Sequence, residues 1–421
     1  MIHTFELFPG VTLRCYPDQR FKHSCLSVQL VRPMCREEAA CNALLPAVLL
    51  RGCKHCPDLR DITLRLDDLY GASVGTLVRR VGDYQTTGLY ASFIEDRYAM
   101  DGDAVLAPMA AFIQELLLEP VLEDGVFSTD FVEGEKKNLI STIESQLNDK
   151  RAYAMEQMIR RMCKEDTFGL SRLGEKEDVA AITPKALYDH YQNILHTSRI
   201  DVFYVGSAPA EQVAQLVKAM LKDIPRNYVN LPEQTGFHTC PGGSYEEQMD
   251  VNQGKLCMGF VSPVTTRDKD FVVMQVLNMI FGGGMTSKLF MHIREKLSLC
   301  YAIGSGYHGT KGIFTVSAGI DSGKSDLVQA EILNQLEACR QGNITEDELN
   351  AAKQALRAGL LSTPDAPASI ENYYASAALS GLTLTPEAYM AAVEQVTAEQ
   401  VAEAAKKLEL HTVYFLKGVT E

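Results

Sequence analysis

The chain repeats one order of predicted elements in its two halves. In the first half, an apolar strand over residues 26–31 leads to a helix over residues 37–51, and a glycine follows. In the second half, a strand over residues 256–261 leads to a helix over residues 270–281, and again a glycine follows. Later strands occupy equivalent places over residues 86–91 and 312–317. A repeat of this length indicates duplicated domains.

Helix start signals also mark the ends of both halves. The dipeptide Thr183-Pro184 supplies an N-cap and an N1 proline for a helix, and a strand over residues 200–205 follows. The capping box Thr397–Gln400 opens another helix, and a strand over residues 412–416 follows. The two halves are therefore predicted to end in the same way, with a helix and then a strand.

The predicted join lies in residues 225–243, which are polar, contain prolines and lack periodicity. We expect an N-terminal domain over residues 1–224, this linker, and a C-terminal domain over residues 244–421. Strands that alternate with turns, together with long helices in blocks, predict an α+β fold. Each domain is expected to be a mostly antiparallel sheet covered by helices.

Composition excludes several classes of function. A formal net charge of −14 argues against a nucleic-acid partner and is compatible with basic or extended peptides. The chain has neither a signal-peptide pattern at its start nor an apolar run long enough for a membrane span. Its 11 cysteines are scattered and odd in number, which suits a reducing compartment. We therefore expect a cytoplasmic protein.

The most specific motif lies in residues 282–302. Three glycines precede a short predicted helix that carries Arg294, and Tyr301 opens the strand that follows. This segment resembles the pattern of the M16 (pitrilysin-like, inverted zincin) metallopeptidases, and the resemblance covers nearly the whole chain. It implies two duplicated M16/LuxS-like metallohydrolase domains.

The resemblance also implies roles for individual residues. In the family, the equivalents of Arg294 and Tyr301 reach the substrate carbonyl region opposite the zinc ion. A cation and a phenol are suitable donors to a carbonyl or a developing oxyanion. Gly283 and Gly284 would leave room for a peptide backbone, so all four residues are predicted to bind substrate. The alternative is that Arg294 is a solvated helix residue and Tyr301 an ordinary sheet residue.

The zinc-binding half of the family motif is missing. Catalytic zinc needs three protein ligands and an open position. The HxxEH positions fall on residues 43–47, where Ala43 and Ala47 replace the histidines and Pro46 replaces the general base. Neither alanine can bind a metal, and Pro46 cannot accept a proton and is expected to kink the helix.

The third ligand position is also degenerate. In the downstream helix Glu135 is retained, but Thr142 occupies the position of the family's zinc-binding glutamate. We therefore expect no catalytic residue, no metal and no hydrolytic activity in the chain alone. His55 with Cys53 and Cys56 could form a partial metal site, although the sequence offers no further ligand for it.

The stretch Gly304–Gly309 matches GxGxxG, the pattern of dinucleotide-binding loops. Such a loop must open a helix, whereas a strand is predicted to follow here, so we expect a glycine-rich turn.

Residues 135–154 resemble a Firmicutes subfamily of M16 homologues, the YfmF/YmfF-like proteins, which are associated with 5-aminopentanol modification of elongation factor P. The resemblance implies a non-catalytic, substrate-binding subunit of an M16B-type peptidase. Its partner would be a zinc-motif-bearing homologue, so zinc is expected only in the partner. The alternative is a homodimeric peptide-binding or scaffold protein without hydrolytic activity. The expected partners are therefore the zinc-bearing homologue or a second copy of this chain, together with a peptide substrate, and no nucleic acid or membrane partner is expected.

Overall fold

The computed structural model describes residues 2–238 and 240–418. Residue 1 of the predicted N-terminal domain, residue 239 of the predicted linker and residues 419–421 of the predicted C-terminal domain therefore lie outside the described residues. The strands are β1 (His3–Phe8), β2 (Val11–Pro17), β3 (His23–Pro33), β4 (Ser73–Val81), β5 (Tyr84–Ile94), β6 (Leu122–Glu123), β7 (Val126–Phe127), β8 (Arg199–Gly206), β9 (Gly243–Met249), β10 (Gly254–Val261), β11 (Cys300–His308), β12 (Ile313–Ile320) and β13 (Glu409–Gly418).

The α-helices are α1 (Arg36–Leu49), α2 (Leu59–Asp68), α3 (Leu106–Leu118), α4 (Thr129–Ser145), α5 (Lys150–Met162), α6 (Lys176–Ala181), α7 (Pro184–Thr197), α8 (Ala210–Leu221), α9 (Phe271–Phe281), α10 (Ser325–Arg340), α11 (Glu346–Ser362), α12 (Pro367–Ser380), α13 (Pro386–Glu394) and α14 (Ala398–Ala405). A π-helix spans Leu289–Lys296. The N-cap at Thr183 and the capping box at Thr397 form as predicted.

Two sheets share one topology, which confirms the predicted α+β fold and the duplication. The first has the order β1-β2-β8-β3-β5-β4, and the second has the order β11-β12-β10-β13-β9. Each contains one parallel pair, β2 with β8 and β13 with β9, and the remaining pairs are antiparallel. When each sheet is listed from its parallel pair, the second sheet has the order β9-β13-β10-β12-β11. This order corresponds strand by strand to β2-β8-β3-β5-β4 in the first sheet. The motif strand β11 is thus an edge strand equivalent to β4.

Residue contacts group the chain into two compact units. The first unit comprises Met1–Glu144, Leu170–Glu233 and Pro364–Leu379. The second unit comprises Ser145–Gly169, Gln234–Thr363 and Ser380–Glu421. Helix α5 thus belongs to the second unit, and α12 up to Leu379 belongs to the first. The boundaries predicted at 1–224, 225–243 and 244–421 do not include these exchanged segments. As domain boundaries along the sequence, they stay a prediction.

Each sheet is covered on both faces within its own unit. In the second unit, Met258 of β10 packs in one apolar cluster with Leu277 of α9, whereas Cys257 packs in another with Met158 of α5. Successive side chains of a strand point to opposite faces, so a strand covered on both sides is apolar at nearly every position. This arrangement explains why nearly every residue of β3 and β10 is buried.

Residues 304–308 of the glycine-rich stretch Gly304–Gly309 do not form a turn, because they belong to β11 and pair with β12. That expectation was wrong. β11 is the outer strand of its sheet, and glycine is tolerated at an edge where no large side chain is needed for packing.

Candidate functional site

The three zinc-motif positions on α1 carry no group that binds a metal. Ala43 is buried, Pro46 is buried, and Ala47 is half-buried. Zinc requires a thiolate, imidazole or carboxylate ligand at each position, and methyl groups and a pyrrolidine ring supply none. The residues present on α1 therefore do not fit the family's zinc ion.

Helix α1 nevertheless continues through Pro46. Proline has no N–H, so the carbonyl oxygen of Asn42, one helical turn earlier, loses its usual partner. The Thr87 hydroxyl of β5 donates to that oxygen at 2.6 Å. This bond replaces the missing helical hydrogen bond of a buried carbonyl.

A chain of hydrogen bonds surrounds Asn42. Its side-chain amide donates to Gln85 Oε1 at 2.9 Å, and its Oδ1 lies 2.7 Å from Nε2 of His190. Gln85 in turn donates to the backbone oxygen of Ala39 at 3.1 Å. Burial, followed by the charge of Arg32, lowers the pKa of His190, while Glu38 acts in the opposite direction. His190 is thus kept neutral beside the degenerate motif.

The third ligand position lies on α4. Thr142 is exposed, and its hydroxyl donates to the carbonyl oxygen of Asn138 in the preceding turn at 2.9 Å. Glu135, two helical turns earlier, lies 3.2 Å from the Arg51 guanidinium in a part-buried ion pair. The acidic residue that the sequence retains is therefore paired with an arginine next to the end of α1, and Thr142 supplies no carboxylate.

The glycine run closes α9 and is tightly packed at its start. A Cβ atom on Gly282 would come within 2.8 Å of Leu289, and one on Gly283 would lie 2.9 Å from the Met279 backbone. The N–H of Gly283 donates to the Asn278 carbonyl at 2.8 Å, so it is already used inside the protein. Gly284 is less constrained, since the nearest atom to its Cβ position is the Met279 methyl at 3.5 Å.

The predicted short helix is a π-helix with a buried side. Leu289 and Ile293 are fully buried in the core of the second unit. Lys288, just before the π-helix, is buried and pairs with Glu348 at the start of α11 at 2.8 Å. Single π-turns occur often at functional sites. Apolar packing and an ion pair thus fix the segment that carries Arg294.

Arg294 projects from the exposed side of this π-helix. Its side chain is 42% exposed, and its guanidinium carbon lies 4.7 Å from the Phe290 ring centroid. The Glu295 carboxylate is 3.6 Å away. The ring limits the orientations of the guanidinium while leaving its hydrogen-bond donors open to an external group.

Tyr301 lies in a β-bulge at the start of β11. Cys300 pairs with Ile320 and Ala302 pairs with Gly319, so Tyr301 is the extra residue in the ladder. A bulge re-aims its side chain, and Tyr301 is 57% exposed. Its hydroxyl donates to Asp321 Oδ1 at 3.2 Å. The hydrogen bond from Lys324, followed by that from Tyr301, keeps the pKa of Asp321 below its usual range.

The same segment exposes several large apolar side chains, Met285, Met291 and Leu297. Their exposed fractions are 76%, 48% and 45%. Apolar side chains grouped on a surface are a common mark of a binding region. The sequence predictions concentrated on the arginine, tyrosine and glycines and missed these three residues, although their spacing around the motif could have indicated them.

The CxxC pair is a structural feature of the first unit. Cys53 and Cys56 are buried free thiols joined by an isolated backbone bridge. Burial and the neighbouring Glu115 raise the pKa of Cys53 to about 12, and Glu115 also lies 2.9 Å from Nδ1 of His55. The thiols are therefore protonated. Within residues 2–238 and 240–418, no group of three or more His, Cys, Asp or Glu side chains has the arrangement of a metal site.

Comparison with known proteins identifies the family to which this chain belongs. Residues 181–356 match the family model described as "Peptidase M16 inactive domain". The chain is 30% identical over 409 residues to "Probable inactive metalloprotease YmfF" of Bacillus subtilis (strain 168), covering 97% of this chain and 96% of that protein. The chain belongs to the M16 peptidase family. This result confirms the resemblance inferred from the motif of residues 282–302.

Solved structures show the same fold along the full chain. A conserved protein from Enterococcus faecalis V583 has a TM-score of 0.91 at 28% identity, covering 100% of this chain and 99% of its own. A peptidase M16 inactive domain from Pseudomonas fluorescens has a TM-score of 0.81 at 18% identity, covering 100% and 98%. Across the described part of the chain, no helix combines the length and apolar character that a membrane crossing requires.

Proposed function

We propose that this chain is the non-catalytic, substrate-binding subunit of a heterodimeric M16B-type zinc peptidase that processes a peptide or small protein. Its partner would be an M16 homologue that retains the HxxEH motif. Two features support this division of labour. The positions equivalent to the zinc ligands carry Ala43, Ala47 and Thr142, whereas the substrate-contacting pair Arg294 and Tyr301 is retained.

The observation that carries the proposal is the contrast between the two sides of the motif segment. Leu289 and Ile293 are buried, while Arg294 and Tyr301 are exposed. A residue with only a structural role would gain nothing from a bulge and a π-helix that direct its polar atoms outward. The exposed apolar side chains nearby would add contact area for an extended peptide.

In the proposed complex, the partner's zinc ion would supply the activated water, and this chain would supply donors to the peptide. The Arg294 guanidinium and the Tyr301 hydroxyl would donate hydrogen bonds to a peptide carbonyl and to the oxyanion that develops from it. Tyr301 would exchange its bond to Asp321 for one to the substrate. The stacking of Arg294 on Phe290 would reduce the ordering cost of that contact.

The test is a reconstitution of this chain with an M16 homologue from the same organism that carries the HxxEH motif. We expect turnover only in the mixture. Arg294→Ala and Tyr301→Phe should each lower kcat/KM of the complex by about 100- to 1,000-fold, the range for loss of a donor to a developing oxyanion. Gel filtration should show an unchanged complex.

Lys296→Ala is a matched control, because Lys296 is an exposed cation on the same π-helix. It should leave turnover near the wild-type value. Full activity of both the Arg294 and Tyr301 variants would contradict the proposed role and transfer support to the homodimeric peptide-binding scaffold. The link of the YfmF/YmfF-like subfamily to elongation factor P stays a prediction that the identity of the substrate would test.

A further inference from the structure

A polar cavity of about 790 Å³ lies entirely within the second unit. Its walls come from the start of α5 and from the connection between β9 and β10. Three of its lining residues are cations, Lys150, Arg151 and Lys255. Two are carboxylates, Asp149 and Asp250, so the cavity carries a net positive charge in a chain whose net charge is −14.

The cavity adjoins the strand pair that carries Tyr301. Lys255 pairs directly with Gly319 of β12, and Gly319 pairs with Ala302, the residue after Tyr301. Paired residues in a ladder share one face of the sheet. A Cβ atom on Gly319 would lie 3.6 Å from Lys255 Nζ, so the ammonium group stands over this glycine.

Arg151 extends the positive charge along the same sheet face. Its Nε donates to Ser317 Oγ at 3.2 Å, and its guanidinium would lie 3.8 Å from a Cβ atom on Gly304. Gly304 pairs with Ser317, two residues along the ladder from the pair of Ala302 and Gly319 and therefore on the same face. Gly304 and Gly319 add no side chains to the sheet face between the two cations and the bulge of Tyr301.

None of the cations of the cavity has a carboxylate within ion-pair distance in the part of the chain that the structure describes. Lys255 Nζ donates to the amide oxygen of Gln253 at 3.3 Å, and Arg151 bonds a hydroxyl. The carboxylate of Asp149 already accepts the backbone N–H groups of Arg151 and Ala152 as the N-cap of α5. An external anionic group can therefore pair with the positive charges of Lys150, Arg151 and Lys255.

We infer that this cavity is a subsite for a peptide carboxylate, which selects substrates with an acidic residue beside the segment held by Arg294 and Tyr301. The inference rests on the proposed peptide-binding function and adds the chemical class of the substrate. The carboxylate could belong to an Asp or Glu side chain or to a free C-terminus. Lys255 and Lys150 would provide ammonium donors, and Arg151 a planar guanidinium.

The test measures fluorescence anisotropy of short labelled peptides with the purified full chain. One peptide carries a central Asp-Glu pair with blocked termini, a second carries Asn-Gln instead, and a third carries Asn-Gln with a free C-terminal carboxylate. We expect the acidic peptide to bind about three- to tenfold more tightly than the Asn-Gln peptide at low salt, as partly exposed ion pairs allow. The preference should shrink as salt is added.

Two variants test the cations directly. Lys150→Gln and Lys255→Gln should each reduce the preference for the acidic peptide, because each removes a charge and lowers affinity for the acidic peptide more than affinity for the Asn-Gln peptide. Lys406→Gln removes an exposed cation that follows α14 and does not line the cavity, so it should change neither value. Gly319→Glu would place a carboxylate next to Lys255 and should also abolish the preference.

The outcomes separate the two proposals. If only the free C-terminus restores tight binding, the subsite binds terminal carboxylates rather than acidic side chains. Equal binding of all three peptides would overturn the subsite and leave the peptide-binding function intact. Failure of every peptide to bind, with a folded chain, would contradict both.

Discussion

Pro46 removes one backbone N–H from the last turn of α1, and the Asn42 carbonyl is the group that loses its partner. The Thr87 hydroxyl supplies a replacement from the neighbouring strand at 2.6 Å. A carbonyl buried without any partner destabilises a fold by about 1–3 kcal/mol. The hydrogen bonding of α1 at this position therefore depends on one threonine.

We expect Thr87→Val to lower the free energy of unfolding by ~1–3 kcal/mol, because valine keeps the shape and removes the donor. The same substitution in a Pro46→Ala background should be milder, since the N–H of residue 46 can then bond Asn42. Urea unfolding of the four proteins in this double-mutant cycle measures the coupling. Thr76→Val, at an exposed position of β4, is the control. Equal losses in both backgrounds would mean that Thr87 does not compensate for Pro46.

His190 gives a pH dependence at the same location. Burial is the largest cause of its lowered pKa, so the folded state resists protonation that the unfolded state accepts near pH ~6.5. The unfolded state therefore binds more protons in this window, and stability rises with pH. The contribution of His190 is complete above the unfolded pKa and is lost as pH falls toward the lowered folded pKa.

We expect the free energy of unfolding to decrease between pH ~7 and ~5, and His190→Gln to flatten part of that decrease. Glutamine has no proton to gain in this range, and its amide can still donate to Asn42 Oδ1. Denaturant titrations at several pH values measure the slope. The matched control, His3→Gln, alters an exposed histidine and should keep the wild-type slope. A slope that His190→Gln leaves unchanged would assign the pH dependence to other groups.

At the scale of elements, α12 is held to the first unit by one buried carboxylate. Glu371 is fully buried and accepts hydrogen bonds from Ser27 at 2.9 Å and Gln29 at 2.7 Å on β3. Arg79 of β4 binds it through two nitrogens at 3.1 Å and 2.8 Å. One side chain thus joins an exchanged helix to two strands of the sheet.

Glu371→Ala should lower the free energy of unfolding by about 3–5 kcal/mol, because it leaves a partly buried arginine and two buried polar groups without their acceptor. Hydrogen exchange should show the largest loss of protection in α12 itself. Asn372→Ala changes the exposed neighbour on the same helix and serves as the control. Unchanged protection of α12 would indicate that apolar contacts such as that of Ile370 are sufficient to hold it.

The elements that the sequence predicted correctly are those with local signals. The capping box at Thr397 and the N-cap at Thr183 depend only on neighbouring residues, and both helices start where predicted. The π-helical geometry around Arg294 and the strand at Gly304 were missed, because packing against the core and pairing with β12 decide them. Local propensity does not contain that information.

At the scale of the whole molecule, the duplication was predictable because corresponding strands and helices repeat in order. The exchange of α5 and α12 was not predictable. The pattern of an amphipathic helix indicates that the helix covers an apolar surface, but it does not identify that surface. The site follows the same rule. Arg294 and Tyr301 were found from a contiguous motif, whereas Lys150 and Lys255 meet only through tertiary structure.

The loss of zinc ligands leads to a prediction for the intact chain. The purified protein should contain well under one zinc per chain, and a chelator should leave its thermal unfolding midpoint unchanged. The reason is chemical, because the family positions present only methyl groups, a proline ring and a hydroxyl. A metal held by native ligands would stabilise the folded state, so its removal would lower that midpoint.

Metal analysis and calorimetry with and without chelator check this expectation, and an M16 homologue that carries the HxxEH motif, treated in the same way, is the positive control. Stoichiometric zinc whose removal lowers the midpoint would contradict this expectation. The next candidates for metal ligands would then be four neighbouring residues, Cys53, His55, Cys56 and Glu115. In that case Cys56→Ser should release the metal, while Cys35→Ser, a half-buried cysteine outside that group, should retain it. Zinc found in that homologue but not in this chain would instead support the proposed division of labour, in which the metal chemistry belongs to the proposed partner and this chain binds the peptide.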